Sequence, residues 1–116
     1  MTDEKQLINF SDFLKCEIHV GVVISAEANE RARKPAYVLT IDFGAEIGIK
    51  TSSAQITEAH NMEDLIDTQV IAVTNFPSKR VAGVKSEVLV LAAVEPNGMT
   101  VLLSPSQQVE LGSRVF

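Results

Sequence analysis

The residues with the most chemistry to offer are six cations in two short acid-free windows: Arg31, Arg33 and Lys34 in one, and Lys79, Arg80 and Lys85 in the other. Guanidinium and ammonium groups gathered without intervening carboxylates set up a local positive field, and the partner they suit is a polyanion such as a nucleic-acid backbone. The chain as a whole opposes that reading. Its 10 Lys and Arg stand against 15 Asp and Glu, a formal net charge of −5. The first thirty positions hold Asp3, Glu4, Asp12, Glu17, Glu27 and Glu30 against only Lys5 and Lys15. Polyanion binding therefore requires a fold that brings the two windows to one face.

Catalytic chemistry finds less support. His19 and His60 have no paired ligands at metal-binding spacing, so each is expected to be a satisfied or exposed side chain and not a zinc ligand. Cys16 is the single cysteine, which excludes an intramolecular disulfide framework, and it is expected to serve as a small buried hydrophobe. Ser52, Ser53 and Ser86 lack the strand-turn-helix setting of a nucleophile elbow, and the chain has neither a Walker-type phosphate loop nor a GxGxxG run. The expectation is a protein that is not an enzyme and needs no metal or cofactor.

With 116 residues, 46% hydrophobic and 22% charged, the chain has the make-up of one packed domain spanning 1–116. The longest apolar run, Val88 to Val94, falls far short of the ~20 residues that span a bilayer. The start, Met1-Thr2-Asp3-Glu4-Lys5, has no cationic stretch leading into an apolar run, so a cytoplasmic location is expected.

The elements that must position the two windows are strands. Period-two alternation places Ile18, Val20, Val22, Ile24 and Ala26 on one face of a long first strand, with Glu17, His19, Gly21, Ser25 and Glu27 opposite. After a polar loop over 28–35, Tyr37, Leu39, Ile41 and Phe43 mark a second strand closed by Gly44, and Ile47, Ile49 and Thr51 a third, at hairpin distance. From Ser53 to Leu65 the pattern suits one or two helical turns; 69–75 reads as a fourth strand and 87–94 as a fifth, with short strands at 100–103 and 109–116. Phe10, Phe13 and Leu14 after Asn9 or Ser11 predict a capped helical turn within an N-terminal segment, 1–15, that packs on the barrel. Five strands with a helix between the third and fourth is the connectivity of an all-β OB-fold barrel, although pattern alone also allows an SH3-like barrel.

Two longer stretches are more specific. Ile47-Gly48-Ile49-Lys50-Thr51-Ser52-Ser53-Ala54-Gln55-Ile56-Thr57 and the run from Val73-Thr74-Asn75-Phe76-Pro77 through Lys79-Arg80-Val81-Ala82-Gly83-Val84-Lys85-Ser86 to Leu91, together with Ile41-Asp42-Phe43-Gly44, closely resemble the CsaA family. That family belongs to the tRNA-binding OB-fold group, related to domains appended to some methionyl- and phenylalanyl-tRNA synthetases. The resemblance runs from about Phe13 to the C-terminus. It implies a homodimer, binding to the outer corner of tRNA, and a chaperone role in protein export. It also assigns Asn75 and Ser86 to nucleic-acid contact and Lys50 to a basic strand position. The chain departs from the related appended domains at Leu89, where they often have Met, and at Glu87, where they often have Gln.

The residues themselves support the same region. Asn75 ends a strand, Pro77 fixes a turn and Gly83 supplies a positive φ or a close approach, so Lys79, Arg80 and Lys85 project from a loop joining strands four and five. In an OB-fold that loop and the one between strands one and two flank one binding face. RNA contact is therefore assigned to Lys50, Asn75, Lys79, Arg80, Lys85 and Ser86, supported by Arg31, Arg33 and Lys34. An alternative function is the binding of unfolded or precursor polypeptide, for which Phe76, Val81 and Val84 would form an apolar rim. Phe76 also suits a place in the core.

Overall fold

The computed structural model of the chain describes residues 6–116, so the opening Met1-Thr2-Asp3-Glu4-Lys5 lies outside the described residues. One strand organises the rest. β1 (Ile18–Ala28) pairs antiparallel through its first half with β4 (Gln69–Val73) and through its second half with β2 (Tyr37–Asp42). β3 (Ile49–Ala54) adds to β2 and β7 (Leu89–Val90) adds to β4, giving the order β3-β2-β1-β4-β7. The result is a nearly closed five-stranded antiparallel barrel of the OB type, with α2 (Met62–Leu65) between β3 and β4. Leu65 is buried against Val23, Leu39, Ile41, Phe43 and Val70, the centre of the core.

The simple alternation expected along β1 is overturned. Gly21 and Val23 face the core: a Cβ on Gly21 would stand 2.6 Å from Cγ2 of Ile41 and 2.7 Å from Cδ1 of Phe43. Ile18 and Val20 are buried as well, but by their parity on the other face of the sheet. A β-bulge between Val23 and Ser25 then inserts one residue, leaving Ile24 exposed and turning Ala26 back against the core. A strand covered on both faces and bulged in the middle does not follow one period-two pattern.

Other boundaries also move. The third strand starts at Ile49, not Ile47, because Gly44 and Gly48 close a turn in which Gly48 N–H donates to Gly44 O at 2.7 Å. The helical turns expected over 53–65 contract to the four residues of α2. The loop expected between strands four and five contains a hairpin, β5 (Lys79–Val81) with β6 (Val84–Ser86). The expected fifth strand divides at Leu91, whose N–H donates to Ile71 O while its carbonyl accepts from Leu103 N–H, so the chain changes partner there. Beyond Leu91 the chain forms a separate hairpin, β8 (Ala92–Val94) with β9 (Thr100–Leu102).

The final segment is not the expected strand. It is an irregular extension along the free edge of the first half of β1: Gly112 and Val115 donate to the carbonyls of Val20 and Ile18, and Val20 donates to Ser113 O. Its entry is held by the Gln69 side chain, which donates to Val109 O at 2.7 Å and accepts from Val109 N–H at 3.0 Å. Arg114 donates to the carbonyls of Leu14 and Cys16 and pairs with Glu17 at 3.4 Å. The N-terminal turn forms as expected: α1 (Phe10–Leu14) starts at Asn9, whose N–H donates to the Asp12 carboxylate. None of its residues is fully buried, so its packing on the barrel is looser than anticipated.

Gly21→Ala should destabilise the barrel by about 1–3 kcal/mol, the usual cost of forcing extra volume into a packed core. Urea denaturation checks this; an unchanged midpoint would show that Ile41 and Phe43 can yield.

Candidate nucleic-acid interface

The chain leaves β4 under tight control. Thr74 donates to Glu17 O from both its N–H and its hydroxyl, at 2.8 and 3.0 Å. Asn75 accepts from Glu17 N–H at 2.9 Å and donates to Lys15 O at 2.7 Å. Asn75, assigned above to RNA contact, thus already uses both ends of its amide to fix where Phe76 and the β5–β6 hairpin begin. Its side chain is exposed.

Val81 pairs with Val84, so the hairpin turns in two residues, Ala82 at φ 48° and Gly83 at φ 85°. Positive φ at both positions is the mark of the type I′ turn, whose twist matches that of paired strands. Register then puts Arg80 directly opposite Lys85, and both are exposed. Like charges facing each other across a strand pair are destabilising. Among the described residues none of Arg31, Arg33, Lys34, Lys50, Lys79, Arg80 or Lys85 forms an ion pair.

Three hydrogen bonds dock the hairpin on the edge of β3. Thr51 Oγ1–H donates to Lys85 O at 2.6 Å, Ser53 N–H donates to Ser86 Oγ at 3.1 Å, and Glu87 N–H donates to Thr51 O at 2.8 Å. The Glu87 carboxylate in turn accepts from Thr51 N–H at 3.1 Å. Its pKa lies below the ordinary 4.5, chiefly because of that backbone donor; burial works the other way, and the Thr51 hydroxyl, Lys50 and Lys85 add to the lowering. Glu87 is therefore part of the joint between hairpin and barrel. Sequence reading placed Thr51 on the third strand but missed its partnership with Glu87, since nothing marks two residues 36 apart as partners.

One cation of the first window reaches the hairpin that carries the second. The β1–β2 loop is closed by Asn29, which donates from its N–H to Ala36 O and accepts from Arg31 N–H through its side chain at 3.1 Å. From there the Arg31 guanidinium reaches Gly83, where a Cβ would stand 2.5 Å from Nη1. Gly83 thus meets both demands expected of it, positive φ and close approach. Arg33 is exposed on the same loop, and Lys50 is half-buried on β3. Lys34 does not join the hairpin cluster; it lines a separate cavity.

Between the hairpin, the end of β3 and β7 lies a cavity of about 360 Å³, walled by Phe76, Pro77, Val81, Val88 and Leu89, with Ser53, Gln55, Lys79, Ser86 and Glu87 completing its lining. Phe76 is 52% exposed, so it is a wall of this cavity and not a core residue. Val84 is half-buried and lies outside the lining.

The remaining candidate groups are engaged. His19 has Nδ1 2.8 Å from Gly112 O and Nε2 3.2 Å from Glu17, while His60 accepts from Leu102 N–H at 3.1 Å. Cys16 is half-buried. Among the described residues no cluster of three or more His, Cys, Asp or Glu is arranged to hold a metal, and no helix is long and apolar enough to cross a membrane.

A small OB barrel whose two flanking loops join their cations beside an apolar cavity has the architecture of a nucleic-acid-binding module. The chain belongs to the family described as "Putative tRNA binding domain", whose model matches residues 18–114. It is similar to the chaperone CsaA of Bacillus anthracis, at 51% identity and TM-score 0.90 over 96% of this chain and 100% of that one. CsaA of Picrophilus torridus is also similar, at 44% identity and TM-score 0.88, covering 95% of this chain and 100% of that one. The methionine–tRNA ligase of Methanococcoides burtonii is 36% identical over 109 residues, 94% of this chain but only 16% of the ligase. The chain thus spans about a sixth of the length of that relative.

Because the folded pKa of Glu87 is depressed, its contribution to stability is fully present above the unfolded value and is lost as pH falls through the folded one. Wild type should therefore be more stable than Glu87→Gln at neutral pH, and the gap should close on acidification below 4.5. Urea midpoints measured across that range decide it, and a gap independent of pH would remove the carboxylate charge from the joint.

Proposed function

We propose that this protein binds tRNA through the β5–β6 hairpin, the β1–β2 loop and the β3 edge, and that it does so without catalysis. The observation that carries this reading is the pair Arg80 and Lys85, set face to face across the hairpin beside Lys79 with no ion pair among the described residues, and with Arg31 brought in from the other loop. A phosphate backbone supplies the negative charge that the fold withholds. Residues 1–116 act as a single OB unit that carries the short helix α1 ahead of its first strand, and family membership supports the choice of tRNA. The cytoplasm, where tRNA is found, is the setting this reading implies.

A second reading is favoured by Phe76. A half-exposed aromatic on an apolar cavity is suited to grip side chains of an unfolded polypeptide, and the similar proteins from Bacillus anthracis and Picrophilus torridus are described as chaperones. Delivery of precursor polypeptides to the export machinery would be the cellular use of such a grip. Replacing Lys79 and Arg80 by Ala should weaken tRNA binding and lower its salt slope by up to about two, since each phosphate contact contributes nearly one. Phe76→Ala should impair suppression of aggregation while costing far less than the ~3–5 kcal/mol of a buried Phe truncation. Unchanged tRNA affinity and slope in the double variant would sink the first reading, and unaltered suppression in Phe76→Ala the second.

We also infer a homodimer. Leu7, Ile8, Phe10 and Phe116 are each more than two thirds exposed, whereas Phe13 and Val115 are half-buried. Apolar side chains left open near both ends of the chain are suited to cover one another across a two-fold axis. Sedimentation should show twice the chain mass at micromolar concentration, and Phe10→Asp should shift the protein toward the monomer. A wild-type monomer would overturn the inference.

A further inference from the structure

A second cavity of about 360 Å³ lies next to the first, and Gln55 belongs to the lining of both. Its walls come from three places: Lys34 from the β1–β2 loop, Thr57 and Glu58 from the segment after β3, and Gly98 and Thr100 from the β8–β9 hairpin. Gly98 turns with φ +90°, and nothing stands within 4 Å of where its Cβ would be, so that side of the turn is open.

The chemistry of this lining differs from that of its neighbour. It offers no aromatic face on which a base could stack. It holds one cation, Lys34, which forms no ion pair among the described residues, and one carboxylate, Glu58, which would repel a cluster of phosphates. Two hydroxyls and an amide complete it. A single ammonium beside a carboxylate and neutral hydrogen-bonding groups suits a sugar-phosphate unit: Lys34 meets one phosphate, and Glu58 with Thr57 accepts from a sugar hydroxyl. We propose that this cavity is a ribose-phosphate subsite adjoining the apolar cavity, so that an RNA strand passes over Gln55 with a base held against Phe76 and the neighbouring 2′-OH read by Glu58 and Thr57. The inference rests on the RNA-binding reading and adds to it a means of telling RNA from DNA, since the 2′-OH is the group that separates them.

The test uses the full chain, bulk tRNA, and single strands of about 12 nucleotides of one sequence made as RNA and as DNA, a length within the range one OB barrel occupies. Wild type should bind the RNA strand more tightly than the DNA strand. Glu58→Ala combined with Thr57→Val should reduce the RNA-to-DNA affinity ratio by about five- to tenfold, the effect of losing one or two hydrogen bonds, chiefly by weakening RNA. Lys34→Ala should weaken both strands alike and lower the salt slope by about one. Glu58 is exposed, so Glu58→Ala alone serves as the second variant should the double variant lose its urea midpoint. Equal affinity of wild type for the two strands, a ratio unmoved in the folded variants, or binding of bulk tRNA but of neither strand would overturn the subsite while leaving the RNA-binding reading standing. Failure of wild type to bind RNA in any form would overturn both.

Discussion

The structure depends on how the edges of β1 are shared. An eleven-residue strand has two rows of backbone donors and acceptors to satisfy, and no single neighbour here is long enough to satisfy either row. On one side β4 takes the first half; on the other β2 takes the second half and the irregular C-terminal segment takes the first. The strand passes from β4 to β2 at Val22, and the bulge at Ile24, two residues on and within the pairing with β2, supplies an extra residue that bends the strand. Before the bulge, position 21 is a glycine where Ile41 and Phe43 occupy the space a side chain would need.

From that scaffold the hairpin inherits its position at two points. Asn75 and Thr74 tie its start to the backbone entering β1, and Thr51, Ser53 and Glu87 tie its end to the edge of β3. Neutral and acidic side chains do the positioning, while Lys79, Arg80 and Lys85 stay exposed without an ion pair among the described residues, Arg80 donating only to the Gly83 carbonyl at 3.3 Å. An acidic residue at Glu87 is compatible with polyanion binding because its charge is spent on Thr51 and sits within reach of Lys50 and Lys85.

Much of this was legible in the residues. The alternation around Tyr37, Leu39 and Ile41 marks a strand with one inner face, and the structure agrees. Gly83 could be read because a glycine between Lys and Arg in a turn context has few uses, and both of them apply. β1 was misread because its first half is covered on both sides, which erases the difference between inward and outward. The β5–β6 hairpin was invisible because Lys-Arg-Val and Val-Lys-Ser are too short and too charged to show a period, and its stability comes from docking on β3 instead. Phe76 could not be placed from the sequence, since a Phe beside a strand end fits a core or a cavity wall equally; only the geometry of the hairpin separates them. The meeting of Arg31 with Gly83 depends on the shape of the Asn29 loop, which no spacing rule records.

The clasp between Arg114 and the carbonyls of Leu14 and Cys16 joins residues 100 and 98 positions apart. Contacts of such sequence separation carry a high loop-closure cost, which slows folding as a whole. Without the C-terminal segment the first half of β1 would have one edge bare, since Ile18 and Val20 pair on that side only with residues 112–115. A bare strand edge flanked by buried-type residues such as Ile18 and Val20 is a template for pairing with another chain. The C-terminal segment therefore does more than close a hydrogen-bond row: it covers the one stretch of β1 edge on which another strand could otherwise pair.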